Sequence, residues 1–227
     1  MKLSVIMPVF NEETTLQEIT ARVQAVGIVD ELVIVDDGSQ DGTRAILQEL
    51  AKQPDIRVIS HQRNSGKGAA VVSGIQAANG DVLIIQDADL EYDPNDYPKL
   101  LAPIAAGKCD VVYGSRFAST DTQRPMLLSW LANLTLTLVT NLLYRAKLTD
   151  METCYKAFRR QVVAGMTIHA RRFEFEPEFT AKILKKGIKI VEVPISFNPR
   201  RYSEGKKINA WDGVIALWTL IKYRFVD

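Results

Sequence analysis

Apolar, β-rich segments alternate with helical segments through the first half of this 227-residue chain. The predicted strands are Leu3–Val9, Glu31–Asp36, Ile56–Ser60, Val82–Gln86 and Asp110–Tyr113. The predicted helices between them are Thr14–Val26, Thr43–Lys52, Lys67–Ala78 and Asp96–Ala106. Strands this apolar are typical of sheets that are covered on both faces, and strand–helix alternation places strands in parallel. The pattern therefore predicts an α/β fold with a mostly parallel sheet between helices.

Glycines mark the expected ends of three of these helices. Gly27, Gly80 and Gly107 stand where the first, third and fourth helices should stop, and each is expected to adopt the left-handed backbone conformation of a helix end. Ligands on open parallel sheets bind at the carboxyl ends of the strands. Polar residues that directly follow a strand are therefore the first candidates for a functional site.

The most informative polar segment follows the fourth predicted strand. Carboxylates occupy alternating positions there, at Asp87, Asp89, Glu91 and Asp93. In an extended segment, side chains two residues apart point to the same side, so these carboxylates would converge. Converging carboxylates need a cation among them, and hard oxygen ligands suit Mg²⁺ or Mn²⁺. The spacing predicts a divalent-metal site, with a solvated acidic loop as the alternative.

Two other segments carry residues suited to a nucleotide. Asp36 ends the second strand, where a carboxylate could accept from a base N–H or from ribose hydroxyls, and Gly38 could let the backbone approach a flat ligand. Lys67 lies between glycines at the start of the third helix and could contact an anion or a base edge. A flexible capped turn is the alternative at that position. Neither the dinucleotide fingerprint nor the P-loop spacing is present.

Composition narrows the function classes. The chain has 28 basic and 27 acidic residues and a net charge of +1, so no global field indicates nucleic-acid binding. Cys109 and Cys154 form neither a disulfide framework nor a CxxC metal site, which favours free thiols in a reducing compartment. Met1-Lys2-Leu3 leads directly into a strand without the regions of a signal peptide. We therefore expect a cytoplasmic protein.

The segment 125–144 carries no charged residue. Polar side chains recur there every four residues, at Ser129, Asn133, Thr137 and Asn141. A helix would therefore carry one narrow polar stripe on a broad apolar surface. The pattern favours an amphipathic helix at or within a membrane interface, with a buried core helix as the alternative.

The C-terminal segment Ala210–Phe225 has a similar character. Its apolar helical stripe consists of Trp211, Ile215, Trp218 and Phe225. The basic residues that flank it are Arg200, Arg201, Lys206, Lys207, Lys222 and Arg224. Tryptophan close to Lys and Arg is typical of a membrane-surface anchor, and an ordinary packed helix is the alternative.

Four segments in a fixed order carry a family resemblance. They are Pro8-Val9-Phe10-Asn11-Glu12, Val35-Asp36-Asp37-Gly38-Ser39, Asn64-Ser65-Gly66-Lys67-Gly68 and Asp87-Ala88-Asp89. The chain resembles the inverting family 2 glycosyltransferases of the GT-A fold over essentially its whole length, most closely the dolichyl- or polyprenyl-phosphate mannose or glucose synthases. The resemblance implies a Rossmann-like, mostly parallel sheet flanked by helices, with interfacial helices near the C-terminus. It also implies one catalytic domain with a nucleotide-sugar-binding half, residues 1–120, and an acceptor and membrane-associating half, residues 121–227.

The resemblance assigns roles to individual residues. The implied nucleotide-sugar contacts are Pro8, Phe10, Glu12, Asp36, Lys67 and Asp87. The implied metal ligands are Asp87, Asp89 and Glu91, the last at a position often occupied by Gln in the mannose synthases, which weakens the case for mannose and for GDP. The implied acceptor-phosphate contacts are Arg116, Arg201 and Lys207. The implied catalytic residues are Asp89, Arg116 and Arg201.

The implied activity is metal-dependent, inverting transfer of mannose or glucose from a GDP- or UDP-hexose to a polyprenyl or dolichyl phosphate. Such an enzyme would attach peripherally to the cytoplasmic face of a membrane and use Mg²⁺ or Mn²⁺. One alternative is a soluble family 2 enzyme with a sugar or glycan hydroxyl as acceptor, for which Asp150 or Glu152 would be the general base. A second alternative is a nucleotide-sugar-binding protein without turnover.

Overall fold

The structure, a computed structural model, describes residues 1–118, 127–199 and 210–226. The strands are β1 (Leu3–Val9), β2 (Glu31–Asp36), β3 (Ile56–Ser60), β4 (Val82–Ile85), β5 (Val111–Ser115), β6 (Lys156–Arg159) and β7 (Ile190–Pro194). The helices are α1 (Leu16–Ala25), α2 (Thr43–Leu50), α3 (Lys67–Ala77), α4 (Tyr97–Ala105), α5 (Leu127–Tyr144), α6 (Phe175–Lys185) and α7 (Ala210–Phe225). The predicted α/β arrangement is confirmed. Two predicted phosphate contacts, Arg201 and Lys207, lie outside the described residues.

In the described part of the chain the strands form a seven-stranded sheet in the order β3-β2-β1-β4-β6-β5-β7. β6 is antiparallel to both of its neighbours, and the other pairings are parallel. The amino end of β6 therefore lies at the same edge of the sheet as the carboxyl ends of the other strands. This edge brings residues that follow β1, β4 and β5 together with residues that precede β6.

The centre of the sheet explains the apolar runs in the sequence. All side chains of Val82–Ile85 in β4 are buried, and burial of a side chain of this size stabilises a fold by about 1.5–3 kcal/mol. Helix α3 packs closely on β1 at Gly74, where a Cβ atom would lie 2.4 Å from Cγ2 of Ile6. These contacts fix α3, and with it Lys67 at its first position, against the middle of the sheet.

The glycine predictions are confirmed at two helix ends and wrong at the third. Gly27 and Gly107 have φ of +72° and +68°, as a left-handed helix end requires. Gly80 does not adopt the left-handed conformation. A Cβ atom there would lie 2.6 Å from the backbone nitrogen of Ser4, so close chain approach, rather than helix termination, requires this glycine.

The polar stripe of α5 faces the protein. Asn141 bonds both the N–H and the carbonyl of Leu148 at 2.8 Å. Further along the stripe, the oxygens of Thr137 and Asn133 accept from the backbone N–H groups of Met151 and Glu152, at 3.1 Å and 3.2 Å. The stripe therefore supplies hydrogen bonds to residues 148–152, whose backbone groups are not paired in a strand or helix there.

The apolar faces of α5 and α7 are exposed side by side. The two helices pack together through Leu136, Leu220 and neighbouring side chains, and the hydroxyl of Tyr144 donates to the carbonyl of Leu220 at 2.6 Å. The exposed apolar side chains are Leu131, Leu134, Leu138 and Leu142 of α5 and Trp211, Val214, Trp218, Ile221 and Phe225 of α7. We call these nine residues the apolar face. None of the helices in the described ranges is both long and apolar enough to span a membrane.

Candidate active site

A cavity of about 350 Å³ lies at the edge of the sheet where β1, β4 and β5 end and β6 begins. Eight of the residues proposed from the sequence line it: Pro8, Phe10, Glu12, Lys67, Asp87, Asp89, Glu91 and Arg116. The topology explains this convergence, because parallel strands deliver the residues that follow them to a common edge.

Asp36 is not part of the cavity lining. Its side chain is buried, its Oδ1 accepts from the N–H of Ser39 at 2.9 Å, and its Oδ2 lies 3.7 Å from Nε of Arg44. The adjacent Asp37 does line the cavity. A contact between Asp36 and a nucleotide therefore stays a prediction, and Asp37 is an acid at this edge that the sequence did not assign.

Asp37 fixes the glycine-rich loop in front of α3. Its Oδ1 accepts from the N–H of Ser65 at 2.9 Å, and its Oδ2 accepts from the N–H of Gly66 at 2.7 Å. Gly38 has φ of +78°, and a Cβ atom there would lie 2.7 Å from the carbonyl carbon of Arg63. We expected this glycine to admit a flat ligand. In the structure it admits the Arg63 backbone instead, so it shapes the cavity indirectly.

The extended geometry predicted for the acidic segment is wrong. β4 ends at Ile85, and Leu90 has φ of +63°, which turns the chain. Asp93 does not line the cavity with the other acids. Its Oδ1 accepts from the N–H of Asn95 at 3.0 Å and caps a short 3₁₀ turn. The acids of this segment that line the cavity are Asp87, Asp89 and Glu91. A turn, and not strand alternation, brings these three acids to the cavity wall.

The acids that line the cavity form only part of the ligand set that a divalent ion needs. In the described residues, no three His, Cys, Asp or Glu side chains lie close enough to form a metal site on their own. Mg²⁺ in nucleotide enzymes is commonly held by one or two carboxylates together with substrate phosphates. Asp87 and Asp89 fit that incomplete set. Nζ of Lys67 lies 2.9 Å from Oδ1 of Asp87, so the position beside this carboxylate already attracts a cation.

Lys67 bridges two acids on the cavity wall. Its Nζ also lies 3.2 Å from Oε1 of Glu176. Burial alone would lower the pKa of Lys67, but the negative charges of Asp87 and Glu176 outweigh burial and hold that pKa well above its ordinary value. The cavity therefore contains a fixed ammonium next to the predicted metal-binding acids, which suits a phosphate oxygen.

Arg116 lines the cavity from the end of β5 and is held by Asp150. Its Nε and Nη2 donate to the two carboxylate oxygens of Asp150 at 2.7 Å each, and its backbone N–H donates to the same carboxylate at 3.0 Å. Burial alone would lower the pKa of Arg116, but the charge of Asp150 raises it. The centre of the guanidinium also lies 5.1 Å from the centre of the Phe197 ring. This bidentate pair fixes the guanidinium plane in the cavity wall.

The residues that precede β6 form a loop, 148–154, whose backbone is bonded largely by side chains. Besides the α5 stripe, three side chains bond this loop. Glu192 accepts from the backbone N–H groups of Thr149 and Asp150, and Tyr92 accepts from the N–H of Cys154. Lys156 donates to the carbonyls of Met151 and Thr153. So many side-chain contacts to one short loop indicate that its position matters to the cavity that it borders.

Glu152 of this loop lines the cavity. Its backbone N–H is bonded to Asn133, but its Oε1 is shielded from solvent and has no hydrogen-bond partner among the described residues. Burial and the nearby negative charge of Glu176 raise the pKa of Glu152 well above its ordinary value, against the opposing charges of Lys156 and Arg116.

The matching family model is that of glycosyl transferase family 2, and it covers residues 4–166. The dolichol-phosphate mannosyltransferase of Pyrococcus furiosus is 32% identical over 211 residues, which are 91% of this chain and 59% of that protein. An undecaprenyl-phosphate 4-deoxy-4-formamido-L-arabinose transferase of Pectobacterium carotovorum is 31% identical over 233 residues, 99% of this chain and 70% of that protein. The chain thus spans about three fifths of the archaeal relative.

Solved structures share the fold. Glucosyl-3-phosphoglycerate synthase of Mycobacterium tuberculosis, in complex with uridine diphosphate, has a TM-score of 0.76 at 21% identity and covers 100% of this chain and 81% of that one. The same enzyme in complex with Mn²⁺, UDP-glucose and phosphoglyceric acid has a TM-score of 0.76, also at 21% identity, and covers 100% and 80%. The architecture is therefore the GT-A fold. Because the family model matches most of the chain, including the strands that deliver Phe10, Asp87 and Arg116 to the cavity, the chain belongs to glycosyl transferase family 2.

Proposed function

We propose that this chain transfers a hexose, with inversion and with the help of a divalent metal ion, from a nucleoside diphosphate sugar to a polyprenyl phosphate at a membrane surface. One observation carries the proposal: Arg172 lines the cavity that holds Asp87, Asp89 and Arg116, and its Nη2 lies 3.8 Å from Oδ1 of Asp212 in the first turn of α7. The cavity is thereby connected to a helix that carries part of the apolar face. Two relatives are named for transfer to dolichol phosphate and to undecaprenyl phosphate.

The donor occupies the side of the cavity that is bounded by β1 and β4. Pro8, Phe10, Glu12 and Asp36 contact the base or ribose, and Lys67 contacts a diphosphate oxygen. Asp87 and Asp89, with Glu91, hold Mg²⁺ or Mn²⁺. When bound, the ion neutralises negative charge on the diphosphate leaving group as a Lewis acid.

The acceptor phosphate occupies the side bounded by β5 and the 148–154 loop. Arg116, with Arg201 and Lys207, positions a phosphate oxygen for in-line attack on the anomeric carbon. A lipid monophosphate has its second pKa near ~6, so its oxygen is already charged at neutral pH and needs no protein base. Asp150 is poorly suited to be such a base, because both of its oxygens accept from Arg116.

The apolar face attaches the enzyme to the membrane that contains the lipid. Leu142, Trp218 and Phe225 are 71%, 63% and 80% exposed, and many exposed apolar side chains on two helices that pack together mark an interaction site. Leucine and tryptophan side chains on the outer sides of two packed helices suit shallow insertion at the acyl boundary. Both cysteines are free thiols, which fits a reducing compartment and therefore the cytoplasmic side of the membrane.

A screen of donors against acceptors tests this function. UDP-glucose, UDP-galactose, GDP-mannose and GDP-glucose would each be incubated with Mn²⁺ or Mg²⁺ and with anionic liposomes that contain undecaprenyl phosphate or dolichyl phosphate. We expect a hexosyl lipid phosphate from at least one donor. Donor turnover only when a free sugar or glycan is added would establish the hydroxyl-acceptor alternative. Binding of a nucleotide sugar without any transfer would establish the non-catalytic alternative.

The hydroxyl-acceptor alternative has one observation in its favour. Glu152 has an unpartnered carboxyl oxygen and lines the cavity, and its raised pKa is typical of general acids and bases. We favour a different role for this residue.

A further inference from the structure

Glu152 has an unsatisfied polar atom on the cavity wall. Its Oε1 is shielded from solvent and has no hydrogen-bond partner among residues 1–118, 127–199 and 210–226. A carboxyl oxygen removed from water without a partner destabilises a fold. Proteins satisfy nearly all such atoms, so an exception at a binding cavity is a position where a bound water or a ligand supplies the missing bond.

The backbone around Glu152 is fixed even though its carboxyl group is not. Asn133 accepts from the N–H of Glu152, and Lys156 donates to the carbonyls of Met151 and Thr153 on either side. The main chain that carries Glu152 is therefore fixed at the cavity wall, so that only its side chain has to be ordered when it meets a ligand.

Its neighbours locate the ligand group that it would meet. Glu152 lines the same cavity as Asp87, Glu176 and Arg116. Glu176 is joined through Lys67 to Asp87, the first of the proposed metal-binding acids, and Arg116 is the proposed contact of the acceptor phosphate. Glu152 therefore shares one cavity wall with both the diphosphate end and the acceptor end. In a transferase the group between these two ends is the sugar.

We propose that the carboxyl group of Glu152 hydrogen-bonds a ring hydroxyl of the donor hexose and so contributes to the choice of sugar; this inference rests on the proposed function. A hexose offers hydroxyl groups that both donate and accept, so it satisfies the carboxyl group in its neutral or its charged form. A site built to bond a hydroxyl discriminates against a sugar that lacks it, because the polar group is then left unpaired.

The test separates binding of the sugar from binding of the nucleotide. Dissociation constants for UDP, UDP-glucose, GDP and GDP-mannose would be measured by calorimetry with Mn²⁺ for wild type, Glu152→Gln and Glu152→Met. Glutamine keeps a hydrogen-bonding group, whereas methionine has a similar size without one. For the donor that wild type uses, we expect Glu152→Met to weaken nucleotide-sugar binding roughly 10- to 100-fold with little change for the diphosphate. Glu152→Gln should show a smaller loss.

Deoxy analogues and thermal melting provide the controls. Wild type should bind the deoxy donor, which lacks the contacted hydroxyl, more weakly than the parent donor. Glu152→Met should bind the two donors equally, as a double-mutant cycle requires. Melting temperature should stay unchanged or rise in Glu152→Met, because an unpaired carboxyl group has been removed.

Three results would overturn the inference. If Glu152→Met bound the nucleotide sugar as wild type does but lost turnover, Glu152 would be a general base. Equal losses for diphosphate and nucleotide sugar, with a lower melting temperature, would make its role structural. If the wild-type protein bound neither the nucleotide nor the nucleotide sugar, the proposed function itself would be wrong.

Discussion

Asp150 is fully buried against Arg116, and its two carboxylate oxygens accept from Nε and Nη2 of the guanidinium. The pair links the end of β5 to the loop that precedes β6, and Glu192 of β7 holds the backbone N–H of Asp150. The cavity wall formed by the end of β5 and the 148–154 loop is therefore organised by one buried ion pair. An arginine held in this way presents a fixed face to a phosphate, without the entropic cost of ordering a flexible side chain.

Loss of Asp150 should destabilise the fold. Asp150→Ala removes the bidentate partner of the Arg116 guanidinium, which is only 12% exposed. We expect the free energy of unfolding in urea to fall by about 3 kcal/mol. The matched control is Asp110→Ala, which removes the partner of Arg159 from a pair that is 46% and 31% exposed and should cost at most ~1 kcal/mol. Equal effects in the two variants would contradict the organising role of the buried pair.

Two acids of one segment should behave differently. Asp89→Asn should remove most transferase activity while the protein keeps its melting temperature, because Asp89 lines the cavity as a proposed metal ligand. Asp93→Asn is the control, since Asp93 caps the turn at Asn95 and does not line the cavity. Turnover would be measured at limiting Mn²⁺. Near-normal turnover of Asp89→Asn under that condition would refute the metal assignment.

Lys67 should compete with a metal ion for Asp87. Its ammonium lies 2.9 Å from the carboxylate, so Lys67→Met removes a positive charge that repels a divalent ion. Without nucleotide, we expect Mn²⁺ affinity, measured by electron paramagnetic resonance, to rise about tenfold, a modest fraction of the Coulomb energy at such a distance. Lys67→Arg keeps the charge and should leave Mn²⁺ affinity near that of wild type. An unchanged or lower affinity in Lys67→Met would show that Mn²⁺ does not bind at Asp87.

The apolar face should be necessary for membrane attachment. The double variant Leu138→Glu, Trp218→Glu places charges at the centre of both helices and should abolish flotation with anionic liposomes. It should bind the nucleotide sugar as wild type does, because neither residue lines the cavity. The control is Ile28→Glu, which changes an exposed apolar residue between α1 and β2. Flotation of the double variant at the level of wild type would exclude this face as the attachment surface.

The sequence predicted the framework of the fold because its strands are unusually clear. Buried runs such as Val82–Ile85 can be satisfied only by a sheet covered on both faces. It did not reveal β6, a four-residue strand from Lys156 to Arg159 with basic residues at both ends. Because β6 runs against its neighbours, the residues before it, including Glu152, enter the cavity. Local patterning carries no signal for such a reversal.

The orientation of α5 could not be predicted from its pattern either. A polar stripe on an apolar helix usually faces water, but Asn133, Thr137 and Asn141 face the protein, where an irregular loop supplies backbone groups that need partners. Which side of such a helix faces inward depends on a segment distant in the fold. Similarly, the turn at Leu90 is not described by strand alternation, although Asp87, Asp89 and Glu91 on either side of it all line the cavity.

The most direct test of the central claim compares a lipid phosphate with the corresponding lipid alcohol. Purified protein with Mn²⁺ and its preferred nucleotide sugar would be given undecaprenyl phosphate or undecaprenol in identical liposomes, and the products would be examined by mass spectrometry and NMR. The proposed function predicts undecaprenyl phosphate that carries one hexosyl group, with the anomeric configuration opposite to that of the donor, and no product from undecaprenol. Transfer to the alcohol, or retention of the donor configuration, would contradict it.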